Sequence, residues 1–195
     1  MIQTLKTQLD MQEINKIPKN GYKVISLFAG CGGSSLGYKL AGFDVLLASE
    51  FIPNATETYK VNHQGTIVLE KDIRETTGQE ILDLIHLNKY ELDVLDGSPP
   101  CSAFSSVGAK DKNWGKVVKY SDTKQRVDDL FYEYIRIVNE LMPKIFVAEN
   151  VKGLTQAKAK YVLQDILEKL SVNYNVDYKV LKANDYGVSQ KRQRT

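Results

Sequence analysis

The sequence predicts an α/β domain in which a mostly parallel sheet is flanked by helices. Two observations support this prediction. Short apolar segments alternate with segments of helical periodicity along most of the 195 residues, a pattern typical of parallel sheets. Glycine, acidic and cysteine residues stand directly after several apolar segments, where such sheets bind their ligands. Residues 21–195 are predicted to form this domain, and residues 1–20 to form a short N-terminal appendage with a helix.

Six segments are predicted to be strands. Each is short and apolar, and the first runs into a glycine-rich turn. In chain order they are Lys23–Ala29, Asp44–Ser49, Thr66–Leu69, Leu92–Asp96, Ile145–Glu149 and Tyr178–Leu181.

Helical spacing and stop signals predict five helices in the main domain. Gly42 ends the first, and Pro53 stands in the first turn of the second, where proline is tolerated. Pro143 ends the fourth, in which Leu130 and Tyr134 belong to one apolar face. The predicted helices are Ser34–Ala41, Pro53–Asn62, Gln79–Leu87, Thr123–Met142 and Lys158–Leu170.

The composition is ordinary for a globular domain, with 43% hydrophobic residues, 26% charged residues and a net charge of +2. No apolar run approaches the roughly 20 residues that a membrane span needs, and the N-terminus does not resemble a secretory signal. We therefore expect a cytoplasmic protein with no membrane partner. The two cysteines and two histidines show no metal-ligand spacing. Between Lys110 and Arg126, six basic residues stand against two acidic ones, a pattern that a solvated loop also shows.

A glycine-rich turn, residues 28–34, follows the first strand and opens the first helix. Glycines allow a tight turn and a close approach of the backbone to a ligand. Glu50 ends the second strand 20 residues after Gly30, where an acid can accept hydrogen bonds from ribose hydroxyls. Ser35 replaces the last glycine of the dinucleotide fingerprint, which disfavours a nicotinamide cofactor. Asp72, after the third strand, could accept from an adenine amino group. A purely structural turn remains the alternative.

The segment Asp96–Ser105 contains two prolines immediately before Cys101. Prolines stiffen a turn, and a stiff turn positions a nucleophile at low entropic cost. The alternative, a cysteine acting as a small hydrophobic residue, is the weaker one for Cys101. Cys31 is interpreted as a residue of the glycine turn and not as a nucleophile. Glu149 ends an apolar strand, at the edge where a carboxyl group can donate or share a proton.

Arg192 and Arg194 stand two residues apart. On a strand both side chains would point to one face, which suits a carboxylate, a phosphate or a base oxygen. A solvent-exposed basic strand is the alternative.

Together these motifs resemble those of the cytosine-5 DNA methyltransferase family. The glycine turn, Glu50, the Pro-Pro-Cys turn, the Glu149-Asn150-Val151 triplet and the Gln-x-Arg-x-Arg element appear in the family's order over about residues 22–195. The resemblance implies a Rossmann-like methyltransferase fold and S-adenosylmethionine (SAM) as the cofactor. It also implies double-stranded DNA as the substrate, in a bacterial or phage-type setting.

The resemblance also implies residue roles. Cys101 is the expected nucleophile that adds to carbon 6 of a flipped cytosine. Glu149 is expected to bind N3 and the amino group of the base, while Arg194, with Arg192 behind it, meets the base oxygen and orients the acid. The basic stretch after Cys101 is expected to contact the DNA backbone. The expected cofactor residues are Phe28, Ala29, Gly30, Cys31, Gly32, Gly33, Glu50, Phe51, Asp72, Ile73, Pro100 and Leu130.

Two departures from the family pattern affect the expected function. Ser98 and Ser102 stand where the family often has glycine and glutamine. Family enzymes also continue past the point that corresponds to Thr195, into a target-recognition region. The sequence is therefore compatible with a subunit that needs a second chain for target recognition, or with a truncated product that is inactive alone. It is also compatible with a tRNA cytosine-5 methyltransferase, or with a binding module without catalysis.

Overall fold

The computed structural model describes residues 11–100, 118–120, 123–125, 129–156 and 159–195. Its centre is a five-stranded sheet in which all neighbouring strands run parallel, in the spatial order Ile67–Leu69, Asp44–Ser49, Lys23–Leu27, Val94–Gly97 and Ile145–Ala148. The predicted α/β class with a parallel sheet is confirmed. No helix within the described ranges is long and apolar enough to cross a membrane.

The strands of this sheet are β1 (Lys23–Leu27), β2 (Asp44–Ser49), β3 (Ile67–Leu69), β4 (Val94–Gly97) and β7 (Ile145–Ala148). Two antiparallel ribbons accompany it: β5 (Val118–Tyr120) with β6 (Thr123–Gln125), and β8 (Leu181–Lys182) with β9 (Gln193–Arg194). The helices are α1 (Met11–Asn15), α2 (Gly33–Leu40), α3 (Pro53–Asn62), α4 (Gly78–Ile85), α5 (Leu130–Leu141) and α6 (Ala159–Ser171).

The core lies where β1, β2 and β4 meet α4, α5 and α6. Apolar side chains of the central strands, such as Leu27, Leu47 and Leu95, are fully buried. Strands covered on both faces read as nearly continuous apolar runs, which is why the sequence shows them clearly. The apolar face of α5 supplies Tyr134, whose hydroxyl donates to the backbone oxygens of Leu95 (3.1 Å) and Val147 (3.0 Å) and so joins two strands.

Most predicted bounds differ from the structure by two residues or fewer, but two predicted elements are wrong by more than that at one end. The helix predicted for Thr123–Met142 begins only at Leu130, because Thr123–Gln125 pair with Val118–Tyr120 as an antiparallel ribbon. The apolar face that indicated a helix lies wholly after residue 129. The strand predicted for Tyr178–Leu181 is instead Leu181–Lys182, because its pairing partner, β9, reaches only these two residues.

The strand order creates a crevice at the carboxyl ends of β1 and β4. From β1 the chain proceeds to β2 and β3 on one side, and it then crosses to β4 and β7 on the other side. Connections that leave neighbouring strands in opposite directions open the sheet at that point, which is where such folds bind ligands.

Candidate active site

A cavity of about 260 Å³ lies at the carboxyl ends of β1, β2, β3 and β4. Its walls come from the segments that follow these strands and from the first residue of α5. The lining residues are Phe28, Gly30, Ser49, Glu50, Phe51, Ile52, Ala55, Lys71, Asp72, Ile73, Ser98, Pro100 and Leu130. Two carboxylates within an otherwise largely apolar wall suit a ligand that combines a flat apolar ring with hydroxyl or amino donors.

The glycine turn has backbone angles that few other residues adopt. Phe28 (φ 54°), Gly30 (φ 55°) and Gly32 (φ 91°) all lie in the left-handed region, which is costly for phenylalanine and open to glycine. Gly32 precedes α2, and a Cβ there would lie 2.1 Å from Nε2 of His63. The turn therefore needs glycine at position 32 for both its backbone angle and its packing. Cys31 is exposed on the outside of this turn.

Glu50 is held by three backbone N–H groups. Gly30 donates to Oε2 at 2.9 Å, and Phe51 and Ile52 each donate to Oε1 at 2.9 Å. A carboxylate with several such donors is fixed in position and keeps further lone pairs for a ligand. The bond to Gly30 also joins the glycine turn to the end of β2.

Asp72 begins the loop that follows β3 and accepts hydrogen bonds from Arg74. The Arg74 backbone N–H donates to Oδ1 at 3.0 Å, and its Nη1 lies 3.2 Å from Oδ1 and 3.1 Å from Oδ2. The same guanidinium binds Asp129 through Nε (3.0 Å) and Nη2 (2.6 Å). Asp129 directly precedes Leu130, so one arginine joins two walls of the cavity.

Most of the residues predicted to bind the cofactor surround this one cavity: Phe28, Gly30, Glu50, Phe51, Asp72, Ile73, Pro100 and Leu130. The rest of the predicted set belongs to the glycine turn but is not part of the wall: Ala29, Cys31, Gly32 and Gly33. Sequence reasoning missed four lining residues, Ser49, Ile52, Ala55 and Lys71, and noted Ser98 only as a departure from the family pattern. Ser49, Ile52, Lys71 and Ser98 lie within two residues of a predicted cofactor residue, so their positions in the sequence could have indicated them. Ala55 lies four residues after Phe51, in α3.

Glu149 and Arg194 form an ion pair, with 2.6 Å between Nε of Arg194 and Oε1 of Glu149. Backbone pairing brings them together, since Asn150 and Thr195 exchange two hydrogen bonds of 2.8 and 2.9 Å. Arg194 also forms a bridge with Val151. The Glu149 side chain is 44% exposed, so this carboxylate is open to an incoming group. Arg192 lies just before β9, and its side chain is exposed.

The turn that precedes Cys101 is anchored from beneath. The buried Asn150 side chain donates from Nδ2 to the backbone oxygen of Pro99 at 3.1 Å. Gly97 packs directly against the Tyr134 ring, where a Cβ would lie 2.4 Å from a ring carbon. Pro99 and Pro100 therefore continue from a fixed strand end. Cys101 itself lies outside the described residues, as do Ser102 and most of the basic stretch that follows it.

Asp96 is a buried carboxylate at the end of β4. The Ser26 and Ser34 hydroxyls donate to its Oδ2 at 3.1 and 2.7 Å, and the Tyr38 hydroxyl lies 3.4 Å from Oδ1. Burial raises the pKa of this carboxyl above its ordinary value, against the lowering effect of the three hydroxyls. These hydrogen bonds connect β4 with β1 and with α2. They therefore link the proline turn, which contains Pro99 and Pro100 after β4, with the glycine turn before α2.

The sequence and the fold also match those of known proteins. The family model described as C-5 cytosine-specific DNA methylase matches residues 22–195. The chain belongs to this family. The family membership predicted from the motifs is therefore confirmed.

Several bacterial members of the family are similar to this chain. The Type II methyltransferase M.FnuDI of Fusobacterium nucleatum is 38% identical over 173 residues, which are 88% of this chain and 45% of that protein. M.NgoPII of Neisseria gonorrhoeae is 34% identical over 189 residues, 94% of this chain and 49% of that protein. M.AquIA of Picosynechococcus is 37% identical, over 88% of this chain and 69% of that protein. The chain thus spans less than half the length of the first two.

Two solved structures of methyltransferases share the fold. One is a prophage-encoded Escherichia coli protein assigned as a DNA modification methyltransferase, with a TM-score of 0.72 and 31% identity over 89% of this chain and 44% of that one. The other is the DNMT2 protein of Spodoptera frugiperda, with a TM-score of 0.62 and 26% identity over 89% of this chain and 48% of that one. The Rossmann-like methyltransferase fold implied by the motifs is confirmed.

Proposed function

We propose that this chain carries the cofactor-binding and catalytic part of an enzyme that transfers a methyl group from SAM to carbon 5 of cytosine in double-stranded DNA. One observation carries the proposal. The Glu149–Arg194 ion pair lies at the carboxyl ends of the strands, the same end of the sheet that holds the cavity. The proline turn that precedes Cys101 contributes Pro100 to the cavity wall and is held by Asn150, the neighbour of Glu149.

The cavity is proposed to take the adenosine part of SAM. Its volume of about 260 Å³ is close to the lower limit of roughly 300 Å³ for small-molecule sites. Glu50 is proposed to accept from the ribose hydroxyls and Asp72 from the adenine amino group, because both are acceptors within the wall. Phe51, Ile73 and Leu130 supply the apolar surface for the adenine ring. Bound SAM supplies an electrophilic methyl group attached to a sulfonium.

The chain's own residues are proposed to make the base reactive. Carbon 5 of cytosine is a poor nucleophile until the Cys101 thiolate adds to carbon 6 and pushes electron density toward carbon 5 and N3. Glu149 holds a proton at N3, which stabilises the adduct, and Arg194 orients Glu149 and meets the base oxygen. Carbon 5 takes the methyl group and leaves S-adenosylhomocysteine as the product. The carbon 5 proton then passes to water, Glu149 takes back the proton at N3, and the thiolate leaves carbon 6. Carbon 6 is stacked inside a duplex, so the base must flip out first.

The test is a covalent trap. The chain is mixed with SAM and duplex DNA that contains 5-fluorocytosine, which lacks the proton whose loss would release the enzyme. Intact mass should then show a denaturation-resistant adduct that maps to Cys101. The matched controls are Cys101→Ala, which should form no adduct while still binding SAM, and a duplex with unmodified cytosine.

Each outcome bears on a different part of the proposal. Equal loss of SAM binding and of adduct in Cys101→Ala would contradict the nucleophile assignment. SAM binding without any adduct would restrict the proposed function of these 195 residues to cofactor binding. An adduct with a tRNA that contains 5-fluorocytosine, and none with DNA, would replace the proposed substrate.

A further inference from the structure

Arg74 connects Asp72, which lines the cavity, with Asp129, which directly precedes the lining residue Leu130. Its Nε and Nη2 bind both oxygens of Asp129, at 3.0 and 2.6 Å. A bidentate contact of this kind fixes the plane of a guanidinium. The remaining Nη1 is thereby directed at Asp72, whose two oxygens lie 3.2 and 3.1 Å away.

We propose that Arg74 is a positioning residue that determines cofactor selectivity, because it holds Asp72 as a fixed acceptor for the 6-amino group of adenine. This inference rests on the proposed function. Asp72 Oδ1 receives the Arg74 backbone N–H and Nη1, whereas Oδ2 receives Nη1. A carboxylate oxygen accepts about two hydrogen bonds, so Oδ2 keeps capacity for a donor on the ligand. A ligand atom that is itself an acceptor would be repelled there.

The contact also sets the distance between two walls. Asp72 and Ile73 line the cavity from the loop after β3, and Leu130 lines it from the first residue of α5. Arg74 joins these segments across 55 positions of the sequence through Asp129. The side chains of Arg74, Asp72 and Asp129 are 26–34% exposed, so solvent screens their attraction, although bidentate and networked pairs contribute more to stability than isolated surface pairs. The expected consequence of losing Arg74 is therefore a change in ligand recognition, with any loss of stability measured separately by thermal unfolding.

Arg136 provides a matched comparison. Its Nη2 donates to the backbone oxygens of Ile73 (2.8 Å) and Thr76 (2.9 Å), so it anchors the same loop to α5. It is bound to Glu133 and Glu140 and not to Asp72. A lysine at either position keeps the charge but loses the planar set of guanidinium donors. Arg136→Lys therefore loosens the loop without removing the partner of the Asp72 carboxylate.

The experiment measures the affinities of the 195-residue chain for S-adenosylhomocysteine and for S-inosylhomocysteine, by calorimetry. The second ligand carries a 6-oxo acceptor in place of the 6-amino donor. The wild type should prefer the adenosyl ligand by about tenfold or more, because an acceptor opposite a carboxylate leaves both unpaired. In Arg74→Lys and Arg74→Ala this preference should shrink about tenfold, whereas in Arg136→Lys both affinities should fall by the same factor.

Three results would overturn the inference. If Arg74→Lys and Arg74→Ala weaken both ligands equally, Arg74 has a structural role only. If the wild type binds both ligands equally well, Asp72 does not select for the 6-amino group, whereas the proposed cofactor site is still supported. A wild type that binds neither ligand refutes the cofactor site itself, and with it the proposed function. Thermal unfolding of each variant shows that the comparison is made on folded protein.

Discussion

At the scale of single residues, Gly97 shows how closely the chain packs just before the turn that precedes Cys101. It ends β4, and its α-carbon faces the ring of Tyr134, which is wholly buried and bonded to two strands. The ring cannot move aside without breaking those hydrogen bonds. The glycine at this position is therefore needed for space and not for an unusual backbone angle.

We predict that Gly97→Ala destabilises the chain. A Cβ 2.4 Å from a ring carbon is a severe overlap, and overpacking of this kind costs about 1–3 kcal/mol. Urea unfolding measures the effect. Gly37→Ala is the control, because Gly37 lies inside α2 and, apart from its neighbours in the helix, no atom of the described residues is within 4 Å of its Cβ position. Alanine there should raise the free energy of unfolding by roughly 0.5–1 kcal/mol. Equal stability of the two variants would contradict the packing argument.

At the scale of elements, the glycine turn is supported by α3 and the residue that follows it. His63 caps α3 and is 3% exposed, and its ring lies 4.4 Å from that of Tyr59. The Tyr59 hydroxyl donates to the Ser35 hydroxyl in α2 at 2.8 Å. Nδ1 of His63 is buried, and no residue in the described part of the chain forms a hydrogen bond with it. The imidazole is therefore suited to the neutral state, packed beneath Gly32.

This predicts a pH dependence. Burial first, and the nearby Lys39 second, lower the pKa of His63 from its ordinary value of 6.5, against a hydrogen bond with the Gly32 backbone that raises it. The unfolded chain thus binds the His63 proton more readily than the folded chain. The contribution of His63 to stability is present above pH 6.5 and is lost as the pH falls below it. The groups that face the ring are Lys39 of α2 and Tyr59 of α3.

His63→Phe tests this dependence, because phenylalanine keeps the ring contact with Tyr59 without titrating. Between pH 7 and pH 5, the free energy of unfolding of the wild type should fall more steeply than that of His63→Phe. His86→Asn is the control, since His86 is exposed and its left-handed backbone (φ 54°) suits asparagine. If all three proteins share one slope, His63 does not titrate as proposed.

The elements of the sheet could be predicted from the sequence because each central strand is apolar on both faces. The bounds of α5 could have been predicted better. Residues 123–129 contain Thr, Lys, Gln, Arg, Val, Asp and Asp, with no apolar face to continue the helix. The ribbon β5–β6 that replaces it depends on a pairing between two short polar segments, and periodicity carries no information about such a pairing.

The candidate site was predictable to the extent that it follows strand ends. Glu50, Asp72 and Glu149 each stand within three residues after an apolar strand, and the parallel sheet brings them to one edge. Contacts between elements that are far apart in the sequence were not predictable. Arg74 reaches Asp129 across 55 positions, and His63 lies under Gly32 because of how α3 packs. Nothing local in the sequence indicates either contact.

At the scale of the whole molecule, cofactor binding should stabilise the fold. A ligand present at 100 times its dissociation constant adds about 2.7 kcal/mol, and for a chain of this size each kcal/mol raises the melting temperature by roughly 2–4 °C. We therefore predict that saturating SAM raises the melting temperature of the 195-residue chain by about 5–11 °C.

Glu50→Ala should reduce this SAM-dependent shift at a fixed SAM concentration. The variant also leaves three backbone N–H groups without their acceptor, so its own melting temperature is expected to fall, and only the difference with and without SAM is informative. Glu57→Ala, at an exposed position of α3, should keep the full shift. An undiminished shift in Glu50→Ala would refute the role of Glu50 in binding.

The central position of β1 has a consequence for synthesis on the ribosome. Its partner β2 follows closely, since Val24 pairs with Val45, but on the other side Ser26 pairs with Asp96, 70 residues later. At about 5–20 residues per second, translation delivers that second partner roughly 4–14 s after the first strand. During that interval one hydrogen-bonding edge of an apolar strand is unprotected, and such edges pair readily with other chains. Slow elongation of the nascent chain therefore extends the period in which it is prone to aggregate.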